Sequence, residues 1–270
     1  MNDERTPATD WNAADYARHS SLQEAMAAEV LALLELGGGE QVLDVGCGDG
    51  RLSARIADRV PGGQVLGVDA SPDMIAFATG HFGGDGAEPR ANLRFAIADA
   101  RALSYPPEFD LAVSFNALHW VPEQAAALRG IGAALRAGGR AVLRLVVKGA
   151  RTSLEEVAEA TRRAPRWAAH FAGFVDPYLR LDAAQYAALA EQQGLRVLDQ
   201  RTGSRSWDFR THAAFFGFCR AGFGAWTRRL PEAERDAFVA EVIDAYRLAL
   251  AATPAEANLF RFYQMDIALA

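Results

Sequence analysis

Gly46, Gly48 and Gly50 alternate through Val42-Leu43-Asp44-Val45-Gly46-Cys47-Gly48-Asp49-Gly50, and Asp69 closes the next apolar run, Gln64–Asp69. Glycine at these places lets the chain turn sharply and lets a ligand lie against bare backbone, where a Cβ would collide. An acid at the tip of the second run can accept hydrogen bonds from both hydroxyls of a ribose. Together they describe a cradle for a nucleoside-bearing cofactor. The dinucleotide fingerprint is G-x-G-x-x-G, with a helix N-terminus facing a pyrophosphate. Here the spacing is G-x-G-x-G, with Asp44 two residues before the first glycine and Asp49 inside the turn. Such acids repel a pyrophosphate and attract a cationic ligand.

The elements that must position these residues follow from periodicity. Apolar runs alternate with helical patterns through the first half of the chain, the signature of a parallel sheet wrapped by helices. The expected strands are Gln41–Val45, Gln64–Asp69, Asn92–Ala98, Phe109–Phe115 and Arg140–Val147. The expected helices are Leu22–Leu36, Arg51–Arg59, Pro72–Ala78 with Ser71 as N-cap, and Glu123–Leu135, which Gly138-Gly139 would stop before the next strand. After residue 147 the rhythm changes. Arg151–Phe174 reads as helical and holds Arg151, Arg162, Arg163 and Arg166 among Trp167, Phe171 and Phe174. Asp182–Gln193 reads as a covering helix, Leu195–Gln200 and Phe260–Leu269 as strands, and Thr211–Ala251 as two helices divided near Pro231.

The run D-V-G-C-G-D-G with a downstream G-V-D-A-S resembles motif I and its partner acid in class I S-adenosylmethionine-dependent methyltransferases. The resemblance implies an α/β fold: a Rossmann-like seven-stranded sheet with an antiparallel last strand, flanked by helices, plus a helical cap from insertions. Residues 1–147 would then be the cofactor-binding core with N-terminal lid helices, 148–181 and 203–256 the cap, and 182–202 and 257–270 the remaining core. It also implies S-adenosyl-L-methionine as cofactor, its positive amino and sulfonium groups suiting the acids around the turn. Asp44, Gly46, Cys47, Gly48, Gly50 and Asp69 would hold it, Ala70 and Met74 would flank the adenine, and Asp99, beside Ala100, would accept from the adenine amino group. Ser114 and Phe115 end the neighbouring strand and would face the same crevice. The other reading of Asp99 is a solvated strand-end acid, and Met74 could equally be a core residue.

Asn116-Ala117-Leu118-His119-Trp120-Val121 lies just past the fourth expected strand, where this family meets both methyl donor and acceptor. It lacks the N/D-P-P-Y/F pattern of enzymes that methylate exocyclic amines of bases. It is instead similar to the corresponding run of trans-aconitate and juvenile-hormone-acid methyltransferases, which esterify small carboxylic acids. Those relatives also begin with an aromatic-rich segment comparable to Trp11–Tyr16, in which Tyr16, with Ser20 and Gln23, would cover the methionine end of the cofactor. Asn116, His119, Trp120 and Arg144 are the candidates for the acceptor site. His119 is either a general base, with an ordinary pKa near neutral, or a structural histidine bonded to backbone. Trp120 either lines an acceptor pocket or plugs the core. A carboxylate acceptor needs no base, and Arg144, Arg180, Arg220 or Trp120 would orient it. The expected activity is methyl transfer to a small molecule, most simply O-methylation of a hydroxyl or carboxylate. The alternative keeps fold and cofactor but runs a cyclisation or elimination.

At 270 residues, 50% of them hydrophobic, the chain can bury a full core. Its net charge of -6 argues against a general nucleic-acid or anionic-membrane binder, both of which demand a basic face. Cys47 and Cys219 cannot make a disulfide framework and fit a reducing compartment. Met1–Asp10 is polar, and no apolar run approaches about 18 residues, so neither signal peptide nor membrane span is expected and the cytoplasm is the default location. No His/Asp/Glu group has metal-ligand spacing. Oligomeric state is not legible.

Overall fold

The apolar runs do become strands: Gln41–Val45 (β1), Gln64–Asp69 (β2), Leu93–Ile97 (β3), Phe109–Phe115 (β4), Leu135–Val147 (β5), Val197–Asp208 (β6) and Leu259–Leu269 (β7). They form one seven-stranded sheet in the order β3-β2-β1-β4-β5-β7-β6, in a computed structural model that describes residues 21–176, 178–250, 253 and 256–270. The first five strands run parallel, and β7 is antiparallel to both β5 and β6. The expected Rossmann-like sheet with an antiparallel last strand is therefore borne out. Around it lie the helices Ser21–Leu33 (α1), Arg51–Ala57 (α2), Pro72–Phe82 (α3), Gln124–Ala134 (α4), Leu154–Arg162 (α5), Ala183–Gln192 (α6), His212–Gly222 (α7), Gly224–Thr227 (α8) and Glu232–Leu250 (α9).

Alternation along the central strands sends neighbours to opposite faces. Val42, Val65, Leu111 and Val113 pack with Ile56 of α2 on one side. Leu43, Val45 and Ala112 pack with Leu128 and Ile131 of α4 and Tyr186 of α6 on the other. Both faces are covered, which is why β1 and β4 carry apolar residues at consecutive positions, Val42-Leu43 and Leu111-Ala112-Val113. A third apolar cluster joins α5, α7, α8 and α9 through Phe215, Trp226, Phe238 and Tyr246, and rests on Phe260 and Phe262 of β7.

Three expectations are corrected. Gly138-Gly139 does not stop before a strand but lies inside β5, where Gly138 takes φ 80° and the pairing with β4 shifts register between Phe109 and Leu111. That is the place of a bulge, which an apolar-run reading passes over. β6 continues to Asp208, well past the expected end at Gln200; as an edge strand with Arg201, Thr202, Ser204 and Arg205 all exposed, it carries no apolar alternation. Arg151–Phe174 is not one helical run: α5 ends at Arg162 and a short 3-10 turn follows at Ala168–Phe171. The division of 211–251 near Pro231 holds, since α9 starts at Glu232. Among the described residues, no helix is long and apolar enough to cross a membrane.

Glu159 fastens the third cluster. It is 5% exposed, and its Oε1 accepts from Trp226 Nε1 at 2.8 Å and from Arg162 Nε at 2.7 Å, while Oε2 accepts from Arg163 at 2.9 Å. Removing that acceptor strands a buried indole N–H and a guanidinium. Glu159→Leu should lower unfolding free energy by about 2–5 kcal/mol. An unchanged urea midpoint would show that these bonds contribute nothing net.

Candidate active site

The site is built at the carboxyl ends of β1, β2 and β4. Gly46 and Cys47 both donate their N–H groups to the Val68 carbonyl of β2, at 2.7 and 3.0 Å, which pins the turn onto the sheet. Gly46 has φ 78°, and a Cβ there would stand 2.3 Å from Ala117 Cβ, so glycine lets the turn after β4 come close. Gly48 is different. Its φ is 55°, its N–H donates to Asp69 Oδ2 at 3.0 Å, and a Cβ on it would meet nothing within 4 Å. Bare backbone thus faces open space beside an acid, which fits a ligand laid against the turn. Gly50 leads into α2, so all three glycines gather where the sequence placed them.

Asp69 receives a second backbone bond, from Ser71 N–H to Oδ1 at 2.9 Å. Each carboxylate oxygen keeps acceptor capacity, enough for two vicinal hydroxyls. Burial raises its pKa. Asp44 is 2% exposed; Ser53 Oγ donates to its Oδ2 at 2.6 Å, and burial, with a smaller contribution from the Asp69 charge, lifts its pKa to about 7. Asp49 accepts from Arg51 N–H at 3.2 Å and faces Arg51 Nε at 3.4 Å. Burial pushes the Cys47 thiol up, which keeps it protonated.

The remaining cofactor candidates separate. Ala70 and Ala100 sit half-buried beyond the tips of β2 and β3, and the Ala98 N–H donates to the Asp69 carbonyl at 3.0 Å, holding the two tips together. Asp99 is not simply solvated: Arg101 donates to its Oδ1 through Nε at 3.0 Å and to its Oδ2 through Nε and Nη2 at 2.9 and 2.6 Å. Met74 is buried in the first turn of α3, in the core reading of its two. The buried hydroxyl of Ser114 donates to the Val45 carbonyl at 2.7 Å and ties β4 to β1. Phe115 packs against the α2 side of the sheet. Tyr16 and Ser20 lie outside the described residues, as does the Gln23 side chain.

On the acceptor side, Asn116 takes φ 57°, rare for a residue with a side chain, and its buried Oδ1 has no hydrogen-bond partner among the described residues. His119 is 4% exposed and its Nδ1 accepts from the Val146 N–H of β5 at 3.3 Å, which places the ring proton on Nε2. Burial lowers its pKa to about 3, so the expectation of a base with a pKa near neutral is not met. Trp120 is half-buried, edge-on to Tyr178 at 5.2 Å and to Trp226 at 6.5 Å, where the sheet meets the helical cluster. Arg144 is engaged within the protein: at 2% exposed, its Nε and Nη2 hold Asp266 of β7 at 2.6 and 2.9 Å, and Nη1 faces Glu29 at 3.4 Å. Arg220 pairs with Asp236 on the outer helices. Sequence reading missed Ser53 and Tyr178, a serine and a tyrosine in no motif, which only the fold brings to Asp44 and His119.

Residues 42–139 match the family model described as "Methyltransferase domain". Trans-aconitate 2-methyltransferase of Deinococcus radiodurans is 37% identical over 129 residues, 48% of this chain and 46% of that one, so the chain spans about half the length of this relative. Methyltransferase GfsG of Streptomyces halstedii is 30% identical over 185 residues, 65% of this chain and 60% of that one. Among solved structures, the phosphoethanolamine N-methyltransferase 2 of Haemonchus contortus in complex with S-adenosyl-L-methionine superposes with a TM-score of 0.63 at 18% identity, covering 98% of this chain and 58% of that one. At the level of the domain the expected class is borne out: residues 42–139 form a methyltransferase domain.

Asp44 makes the stability of the ligand-free protein depend on pH. An unfolded aspartate titrates near 4, whereas Asp44 is lifted to about 7 in the fold. Between those values the folded state holds the extra proton, so its contribution falls as pH rises through that window. Asp44→Asn should flatten the decline, gaining about 2–4 kcal/mol on wild type at pH 8 relative to pH 4.5 in urea titrations. Parallel pH dependence in the two proteins would refute the assignment.

Proposed function

We propose that this chain is an S-adenosylmethionine-dependent methyltransferase that O-methylates a small molecule, and that the acceptor is a carboxylate. The observation that carries the cofactor reading is the open Gly48 backbone beside Asp69 at the tips of β1 and β2. Asp69 would accept from the ribose hydroxyls, the 46–50 turn would lie along the ligand, and the Asp44 and Asp49 carboxylates would favour its positive end. When bound, S-adenosylmethionine supplies an activated methyl group on a cationic sulfur. The chain has only to align the acceptor and keep water out, which together are worth several kcal/mol.

The acceptor reading rests on His119. A buried imidazole whose pKa is about 3 is a weak base, whereas a carboxylate arrives already ionised at neutral pH. Asn116 Oδ1, unpartnered at the tip of β4, is left to accept from the ligands that meet there. Trp120 and the helices α5, α7, α8 and α9 would form the cap that shields the reaction.

Titration calorimetry with S-adenosylmethionine tests the cofactor. Asp69→Ala should weaken binding by about 1–3 kcal/mol, and Gly48→Val should abolish it with an unchanged thermal melt. Normal affinity in both variants would sink the site; turnover of an acceptor without methyl loss would assign the cyclisation or elimination alternative.

The pH profile tests the acceptor. With no group near neutral required as base, kcat/KM measured from pH 5.5 to 8 should show no slope-one limb attributable to His119, and His119→Ala should act mainly on KM. A limb with a pKa of about 6–7 that vanishes in His119→Ala would restore the base role and a hydroxyl acceptor.

A further inference from the structure

Beyond the carboxyl end of β5 lies a pocket whose lining includes Lys148, Arg151, Tyr178, Arg180 and Arg261. We propose that it is an anion subsite that grips a carboxylate of the acceptor, with Arg180 and Tyr178 as its specificity-determining residues. This deepens the methyl-transfer reading and rests on it.

Arg180 carries the argument. Its Nη1 donates to Asp176 and, at 3.3 Å, to the Tyr178 carbonyl, but its Nε and Nη2 are buried without a partner among the described residues. Those two donors are one edge of the guanidinium fork. The same edge in Arg144 holds Asp266 by two parallel bonds, and in Arg101 it holds Asp99. Arg180 therefore presents the geometry that this chain twice closes on a carboxylate, without a protein group to close on. Tyr178 is 5% exposed, its hydroxyl is also unpartnered, and the Arg180 guanidinium lies over its ring at 5.1 Å.

Charge points the same way. Among the described residues, neither Lys148 nor Arg151 has a carboxylate in ion-pairing reach; Arg151 bonds Ser204 Oγ at 2.6 Å and stacks over Tyr263 at 5.0 Å. Arg261 is paired with Glu256, and the one acid in the lining, Glu156, is committed to the Ser153 N–H at 2.8 Å. Lys148 and Arg151 thus leave positive charge in the lining, while Asp176 and the buried Glu155 are the acids beside Arg180 and Tyr178. It also adjoins the reaction centre. Val146, in its wall, donates to His119, and the Tyr178 ring lies 5.3 Å from His119 and 5.2 Å from Trp120. An acceptor anchored here extends toward the tip of β4.

Calorimetric titration of succinate into protein saturated with S-adenosylhomocysteine is the test, with dimethyl succinate as the uncharged control. Succinate should bind and its diester should not. Arg180→Met should weaken succinate at least about tenfold and Tyr178→Phe about three- to tenfold, while S-adenosylhomocysteine affinity stays within about twofold in both. Tyr178→Phe keeps the ring contacts, so it stands if the arginine variant fails to fold. Equal binding of the diester, indifference of both variants, or inorganic phosphate binding in place of succinate overturns the carboxylate subsite. Failure of S-adenosylhomocysteine to bind the wild type overturns the methyl-transfer reading instead, and succinate with the same variants still decides the pocket.

Discussion

Everything at the site depends on one carbonyl. Val68 O receives the N–H groups of Gly46 and Cys47 together, and that shared acceptor holds the turn after β1 flat against the end of β2. With the turn fixed, Gly48 N–H reaches Asp69, Ala117 can close over Gly46, and the tip of β4 comes within reach of the same crevice. The sheet supplies the rigidity, because β1 lies between β2 and β4 and is covered on both faces. Placing ligand groups at strand ends is how open α/β sheets couple a stable core to an adaptable rim.

The electrostatics of the rim are unusual for a core so apolar. Asp44 and Asp69 are both shielded from water and each is pushed toward its neutral form by that burial. The hydrogen bonds from Ser53, Gly48 and Ser71 offset part of the cost. Two acids whose neutral forms are favoured by burial hold a reservoir of latent negative charge, released when a cation approaches. Cation affinity at such a site rises with pH.

How much of this was legible depends on the range of the interaction. β1, β2 and β4 carry the bounds read from their apolar runs, and the glycine turn with Asp69 could be found because its chemistry is local in sequence. Arg144 and Arg180 could not be told apart. One meets Asp266, 122 residues on, and is silenced; the other meets Asp176, four residues back, and keeps an open edge. His119 is a related case: its residue type sets an ordinary pKa, but burial among Trp120, Tyr178 and β5 lowers it. The second half of β6, past Gln200, escaped because an exposed edge strand has no buried face to write a pattern.

The placement of β7 bears on how the fold is reached. Leu259–Leu269 slots between β5 and β6, so β6 has no sheet neighbour until a strand some fifty residues further along the chain arrives. The parallel strands β1 to β5 can pair in the order in which they emerge from a ribosome, whereas the last two must wait for each other. During synthesis the β5 edge stays unpaired while the apolar helices α7 to α9 are being made, and that interval is when a chaperone has most to shield.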